Sequence, residues 1–281
     1  MKGSRLLKGF ESYGYIYLIW LVMFFLVPVL VILTYSFLTR DFQGGVKPFF
    51  SLNGYKDILN TTYFEVFIRT VFVSLISALV SILIAVPVSY YIAYSKLKNL
   101  LLLLVIIPFW TNSLIRIYAW IFILGNNGLI NQMLIKLGFV ETYIRFMYNN
   151  FSVILVLVYT YLPFAILPLY SSIERLEKPI FEAAMDLGCT KRQVFFKVLL
   201  PNIRQGIVSA FVFVFIPALG TYAVPELVGG KESRLIGNEI ARQLTTAKNW
   251  PAAAAISSLL LVITIVVVLI FMYGGGKREA R

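Results

Sequence analysis

The chain has 281 residues, of which 59% are hydrophobic and 14% charged, with a mean hydropathy of +0.84. Soluble domains run at roughly 45–50% apolar and about 25% charged, so an ordinary water-soluble globule is excluded and a lipid environment is implied. There is no His and one Cys, Cys189, which removes His/Cys metal clusters, a disulfide framework and most catalytic chemistry; the net charge of +12 lies in short basic runs beside apolar stretches, as in membrane flanks rather than nucleic-acid-binding surfaces.

In chain order, Lys2, Arg5 and Lys8 precede an uncharged run from Ser12 to Thr39. That run exceeds the roughly 7–15 residues of a signal h-region and no small-residue cleavage site follows, so it reads as a retained first helix. A membrane-spanning helix needs about 20 mostly apolar residues. Six such stretches are expected: 13–38, 70–95, 99–124 (interrupted by Arg116), 146–173, 205–225 and 252–273, in one transmembrane domain covering 1–281. Pro28, Pro87, Pro108, Pro163, Pro168, Pro217 and Pro225 fall inside or at the ends of these spans and predict kinks, which membrane bundles tolerate when neighbouring groups satisfy the freed backbone.

Basic residues set the expected orientation. One set of loops would carry Lys2, Arg5 and Lys8, the tight Lys96/Lys98 turn, the 174–204 segment and Lys277, Arg278 and Arg281; the other loops are longer and carry fewer Lys and Arg. Both termini and the 174–204 loop are therefore expected in the cytoplasm, in a multi-pass protein of the bacterial cytoplasmic membrane.

The 174–204 loop reads as two short helices. Pro179 suits a helix start, Ile180, Ala184 and Leu187 form one apolar face, and Gly188 suits a C-terminal cap. Thr190 with Gln193 makes a capping box, and Pro201 closes the second helix. A short amphipathic helix of this kind calls for a protein groove. Glu182-Ala183-Ala184, Gly188 and Val198-Leu199-Leu200-Pro201 resemble the E-A-A-x3-G-x9-I-x-L-P signature of ABC-importer permeases of the MetI-like, binding-protein-dependent family, with Val in place of Ile. The resemblance implies an all-α fold of six transmembrane helices whose loop is a coupling helix, seated on an ATPase that binds ATP and Mg. This chain itself would be non-catalytic, with no cofactor. The matched coupling residues are Glu182, Ala183, Ala184, Gly188, Leu200 and Pro201. Glu182 or Asp186 could pair with basic groups of the ATPase.

Three further stretches, Pro108 to Arg116, Pro168 to Glu174 and Leu235 to Asn238, are similar to spermidine/putrescine permeases of the PotB type. That resemblance implies a second, PotC-like permease, two ATPase subunits, an extracytoplasmic polyamine-binding protein and a polyamine substrate. Aromatic faces and carboxylates suit a polycation. The path candidates are Trp110, Thr111, Asn112, Tyr118, Tyr222 and Glu226, with Glu65 ahead of the second span; each aromatic could equally be an interfacial anchor. Arg116, costing about 2.5–3.5 kcal/mol on insertion scales, either pairs with a carboxylate of this or the neighbouring permease and shapes a gate, or snorkels to the outer interface. An importer of another small solute shares the loop. A secondary transporter would need ion-coupling carboxylates within the spans, where no Asp or Glu is expected.

Overall fold

The computed structural model describes Tyr15 and residues 17–275. Tyr13, where the first span is expected to begin, and the orientation-setting Lys2, Arg5, Lys8, Lys277, Arg278 and Arg281 lie outside the described residues. The fold is almost wholly helical. Among the described residues, five helices are long and apolar enough to cross a membrane, or six if a bent pair counts as one span. The chain divides into two compact units, one comprising residues up to Phe64 with Glu239–Ile263, the other Glu65–Asn238 with the segment from Thr264.

The first unit opens with α1 (Tyr17–Ser36), whose Val22–Leu26 stretch is π-helical. No α1 side chain before Ser36 is buried. An antiparallel hairpin follows, β1 (Leu38–Arg40) with β2 (Val46–Phe50), paired Thr39↔Lys47 and Arg40↔Val46 with a bulge beside Leu38. Gly44 and Gly45, at φ +106° and +102°, make its turn in the left-handed region that glycine enters without penalty. The hairpin is tied down on both sides: Ser36 Oγ lies 2.9 Å from the Tyr55 hydroxyl on α2 (Asn53–Ile58), and Arg40 donates to the Ala247 carbonyl. Asn249 caps α13 (Trp250–Gly275) by accepting from the Ala252 amide at 3.3 Å, and its Nδ2 reaches Asp57 at 3.3 Å. Ala252 to Ile256 on α13 are buried, and a Cβ on Gly54 would stand 2.9 Å from the Pro251 carbonyl, so α2 meets α13 backbone to backbone.

The second unit contains most of α3 (Thr61–Tyr94), then α4 (Lys98–Ile106), α5 (Ser113–Leu124), α6 (Leu129–Lys136), α7 (Asn150–Glu174), α8 (Lys178–Asp186), α9 (Lys191–Asn202), α10 (Arg204–Leu219) and α11 (Ala223–Leu227). α7 begins in a reciprocal capping box: Asn149 accepts from the Ser152 amide at 2.9 Å while Ser152 Oγ faces the Asn149 amide. It packs along α10, where Gly206 is required; a Cβ there would come within 2.7 Å of Ser172 Cβ and 3.2 Å of the Pro168 carbonyl. The core joins Val73 of α3, Ile117 and Leu124 of α5, Val153, Val156 and Leu157 of α7, and Val224 of α11. Ser89 of α3 donates to the Ile166 carbonyl of α7 at 3.0 Å, a polar bond inside an otherwise apolar contact.

The expected spans are met with three main departures, beside smaller shifts such as the fourth span starting at Asn150 instead of 146. The second span starts at Thr61 rather than 70, because the charges at Glu65 and Arg69 do not stop a helix; Glu65 is an exposed residue of its early turns. The third, expected unbroken over 99–124, is interrupted: Ile107–Trp110 is a 3₁₀ turn, Thr111 is extended, and α5 restarts at Ser113. Pro108 has no amide to give, and the Asn112 side chain accepts from the Leu114 amide at 2.8 Å, capping a new helix. Continued through a turn at Gly125–Gly128, the α5–α6 segment Ser113–Lys136 is itself of spanning length. The fifth span ends at Leu219 instead of 225, and α9 meets α10 at 68°, so Pro201 stands one residue short of a bend at Asn202–Arg204 rather than at a terminus.

α12 (Ile236–Thr245) carries a polar cluster within the first unit. Glu239 accepts from Arg242 Nε at 2.8 Å and Nη2 at 2.5 Å and from Gln243 Nε2 at 2.9 Å, and Gln243 also donates to the Tyr63 hydroxyl at 2.6 Å. Burial pushes the Glu239 carboxyl up, but the hydrogen bonds from Arg242 and Gln243 and the Arg242 charge outweigh it and hold the carboxyl below its ordinary 4.5. A carboxyl lowered by folding stabilises the folded chain above the unfolded value, and that stability disappears as pH falls through the folded one. Thermal midpoints of wild type and Glu239→Gln in detergent should therefore differ at pH 7 and converge as pH drops below 4.5; a gap that persists in acid would contradict this account.

Candidate functional site

The 174–204 loop folds as its punctuation demands. Pro179 occupies the first turn of α8, and the helix closes in a Schellman motif: the Cys189 amide donates to the Ala184 carbonyl at 3.0 Å and the Gly188 amide to Met185 at 2.9 Å. Gly188 has φ +87°, and nothing lies within 4 Å of where its Cβ would be, so the requirement for glycine is conformational and not steric. Thr190 and Gln193 cap α9 reciprocally, at 3.3 Å and 2.8 Å. Glu182, Ala183 and Asp186 are exposed, Ala184 and Leu200 half-buried, and Pro201 exposed.

The apolar face is divided. Ile180 and Leu187 are 44% and 86% exposed, whereas the buried side chain of α8 is Phe181, which packs edge-on against Tyr90 and Tyr94 at the end of α3. Sequence periodicity marks the open face and passes over the anchored one, because Phe181 adjoins Ile180 and either can begin an i, i+3, i+4 stripe. Around this anchor, Lys178 Nζ lies 5.8 Å from the Tyr94 ring centroid, Tyr94 donates to the Leu176 carbonyl at 3.0 Å, and Lys98 pairs with Glu174 at 2.8 Å.

At the α4–α5 break, Trp110 is 81% exposed and Tyr118 is also exposed. Thr111 Oγ1 donates to the Pro108 carbonyl at 2.6 Å, so its hydroxyl and the Asn112 cap stabilise the break itself. Arg116 is half-buried; its guanidinium sits over Phe109, 4.8 Å from the ring centroid, and Phe109 in turn meets Phe164 edge-on. Its Nε and Nη1 are buried without a hydrogen-bond partner, and among the described residues it forms no ion pair.

α11 packs against α5 and brings in the remaining candidates. Tyr222 is 47% exposed and Glu226 is exposed. Asn238 Nδ2 donates to Glu226 Oε2 at 2.6 Å and to the Tyr222 carbonyl at 3.2 Å, while its Oδ1 accepts from the Leu235 amide at 3.3 Å. Asn238 thus fixes both candidates; the sequence signal for it was its place in the Leu235 to Asn238 motif. Among the described residues no ring contact links Trp110 or Tyr118 to Tyr222, and no group of His, Cys, Asp and Glu could hold a metal ion.

Residues 79–274 match the family model of the binding-protein-dependent transport system inner membrane component, and the chain belongs to that family of multi-pass inner-membrane transport permeases. Among individual proteins, it is 44% identical over 237 residues to the spermidine/putrescine transport system permease protein PotB of Salmonella typhimurium, covering 84% of this chain and 83% of that one. Against the protein of the same name from Escherichia coli K12 the identity is 43% over 237 residues, with 84% and 86% covered. The crystal structure of a bacterial alginate ABC transporter, in complex with an alginate pentasaccharide-bound periplasmic protein, contains a chain that superposes with a TM-score of 0.77 at 15% identity, covering 99% of this chain and 98% of that chain. The family match and this likeness of fold together give the chain the MetI-like permease fold.

Placing a Cβ-bearing residue at Gly188 forces the left-handed region at about 1–2 kcal/mol. Gly188→Val should speed amide hydrogen exchange at Leu187–Thr190 while leaving α7 and α10 protected; unchanged exchange would show that the turn tolerates a side chain.

Proposed function

We propose that this chain is the transmembrane permease subunit of an ATP-driven importer of polyamines, spermidine or putrescine. It forms the translocation path with a second, PotC-like permease. Two ATPase subunits hold ATP and Mg and perform the hydrolysis, so this subunit is not itself an enzyme. An extracytoplasmic binding protein delivers the cargo. The observation that carries the reading is 41–44% identity over most of the chain to permeases bearing the spermidine/putrescine name. A path that receives cargo from a binding protein needs little affinity of its own. It opens outward when the ATPases close and inward when they separate.

In this reading the 174–204 loop and both termini face the cytoplasm, and Glu182, Ala183, Ala184, Asp186, Gly188, Leu200 and Pro201 form the ATPase-coupling surface. The open side of α8, with Ile180 and Leu187 exposed beside Glu182 and Asp186, supports a docking role. Trp110, Thr111, Asn112, Tyr118, Tyr222 and Glu226 line the path. Glu226, held by Asn238, supplies a carboxylate and Tyr222 an aromatic face, each such cation–π contact contributing roughly 0.5–2 kcal/mol. Arg116 is the gate: its unpartnered Nε and Nη1 support pairing with a carboxylate of the neighbouring permease.

The decisive experiment is uptake of labelled spermidine by cells carrying the intact system, competed with putrescine, sulfate and amino acids. Competition by putrescine alone is expected; uptake indifferent to polyamines would remove the cargo, and uptake that persists without the ATPase would remove the importer. Arg116→Ala should assemble normally yet import at a rate lower by roughly tenfold or more, since a buried charge left alone on the partner costs several kcal/mol. Normal transport in that variant would remove the gate.

A further inference from the structure

α8 presents two different faces. Ile180, Met185 and Leu187 are exposed, while Phe181, 7% exposed, is its buried side chain. The Phe181 ring is perpendicular to Tyr90 (centroids 6.3 Å apart, 90°) and nearly so to Tyr94 (5.9 Å, 82°), and these two tyrosines pack on each other at 5.1 Å. Both stand in the last turns of α3, at 34 residues the longest helix among the described residues. The Tyr94 hydroxyl donates to the Leu176 carbonyl just past the end of α7, and Lys178 at the start of α8 lies over the Tyr94 ring. The other way out of α8 runs through Gly188 and the α9–α10 bend of 68°, a path with a mirror-image turn and a sharp corner in it.

From this geometry we infer that Phe181 is a positioning residue of the transport cycle: its contact with Tyr90 and Tyr94 makes α8 and the end of α3 move as one body, so force applied to the exposed face of α8 is delivered to α3. This deepens the proposed function and rests on it. A displacement of α8 is passed on only where a side chain is packed on both sides, and interdigitated rings transmit strain where a solvated loop does not. The face that docks and the face that transmits are therefore separate, and substitutions should separate their effects.

The test uses the assembled transporter, with both permeases and both ATPases, reconstituted in lipid vesicles. Three quantities are read: the ATPase retained on purification, the spermidine imported per ATP hydrolysed, and the stimulation of hydrolysis by loaded binding protein. Phe181→Ala should keep the ATPase bound and its basal hydrolysis near wild type, but lower both import per ATP and stimulation by roughly tenfold, the scale of ring–ring contacts of this kind. Phe181→Tyr, which keeps the ring, should restore both, and Phe181→Leu should fall between. Leu187→Ala, on the open face, should reduce the ATPase retained instead. The inference is overturned if Phe181→Ala keeps wild-type import per ATP and stimulation, or if import and hydrolysis fall in proportion. If Phe181→Ala does not assemble, Phe181→Leu decides by the same ratios. Wild-type vesicles that show stimulation without importing spermidine would count against the cargo alone, and the stimulation ratio would still judge Phe181.

Discussion

A polypeptide in a bilayer has no water to hydrogen-bond the backbone groups that a helix break exposes, so each interruption must carry its own partners. The places where this chain stops being helical show how that requirement is met. Asn112 restarts the helix after Pro108, Asn149 and Ser152 open α7, Asn238 pins the turn between α11 and α12, and Asn131 fastens the approach to α7 by donating to the Gly125 and Ile144 carbonyls and accepting from the Ile144 amide. At these breaks, as at the Asn249 cap of α13, an asparagine serves because its side chain is short enough to reach a nearby amide or carbonyl. The candidate path residues lie beside these breaks: Trp110 to Tyr118 around the Asn112 cap, and Tyr222 with Glu226 around Asn238. Irregular backbone and the candidate residues coincide because a helix break exposes backbone groups that nearby polar side chains must satisfy.

How far sequence could anticipate this depends on the type of signal. Apolar runs at Phe146–Ile173 and Ala252–Tyr273 mark α7 and α13 closely, because a span must be apolar along its whole length and little else produces such a run. The 174–204 loop was legible down to the capping box and the glycine of its Schellman motif, since caps are local and written in adjacent residues. The α4–α5 interruption was not, because Pro108 alone is compatible with a kink, and the decisive group, Asn112, becomes a cap only once the helix has already broken. The start of α3 was hidden for the opposite reason: Glu65 and Arg69 end an apolar run without ending a helix. Phe181 and Asn238 act through partners distant in the chain, Tyr90 and Tyr94 for one and Glu226 for the other, and no periodicity records such pairings.

The same separation of local and distant information distinguishes the two candidate regions. The α8 loop is built from short-range rules and presents a surface formed largely by its own sequence. The α11 region depends on close backbone approach: a Cβ on Gly229 would stand 3.0 Å from Val153 Cγ2, and one on Gly230 would stand 2.6 Å from the Tyr148 carbonyl. Its shape is set by what packs around it, so substitutions in α7 should be felt there, whereas the turns and caps of the loop depend on its own residues and only the seating of α8 depends on Tyr90 and Tyr94.

α1 spans 20 residues, close to the 30 Å of a bilayer's hydrocarbon core at 1.5 Å per residue, and buries no side chain before Ser36. Among the described residues its first turns, Tyr17 to Pro28, are exposed and its ring contact with another helix, Tyr35 on Trp250, lies at its far end, so hydrophobic mismatch becomes a structural variable for its tilt. Ser36 is joined to Tyr55 and leads directly into the hairpin, so a thicker or thinner membrane would raise or lower β1, β2 and α2 together. Lipid chain length thereby acts on parts of the protein that carry polar loops rather than hydrocarbon-facing side chains.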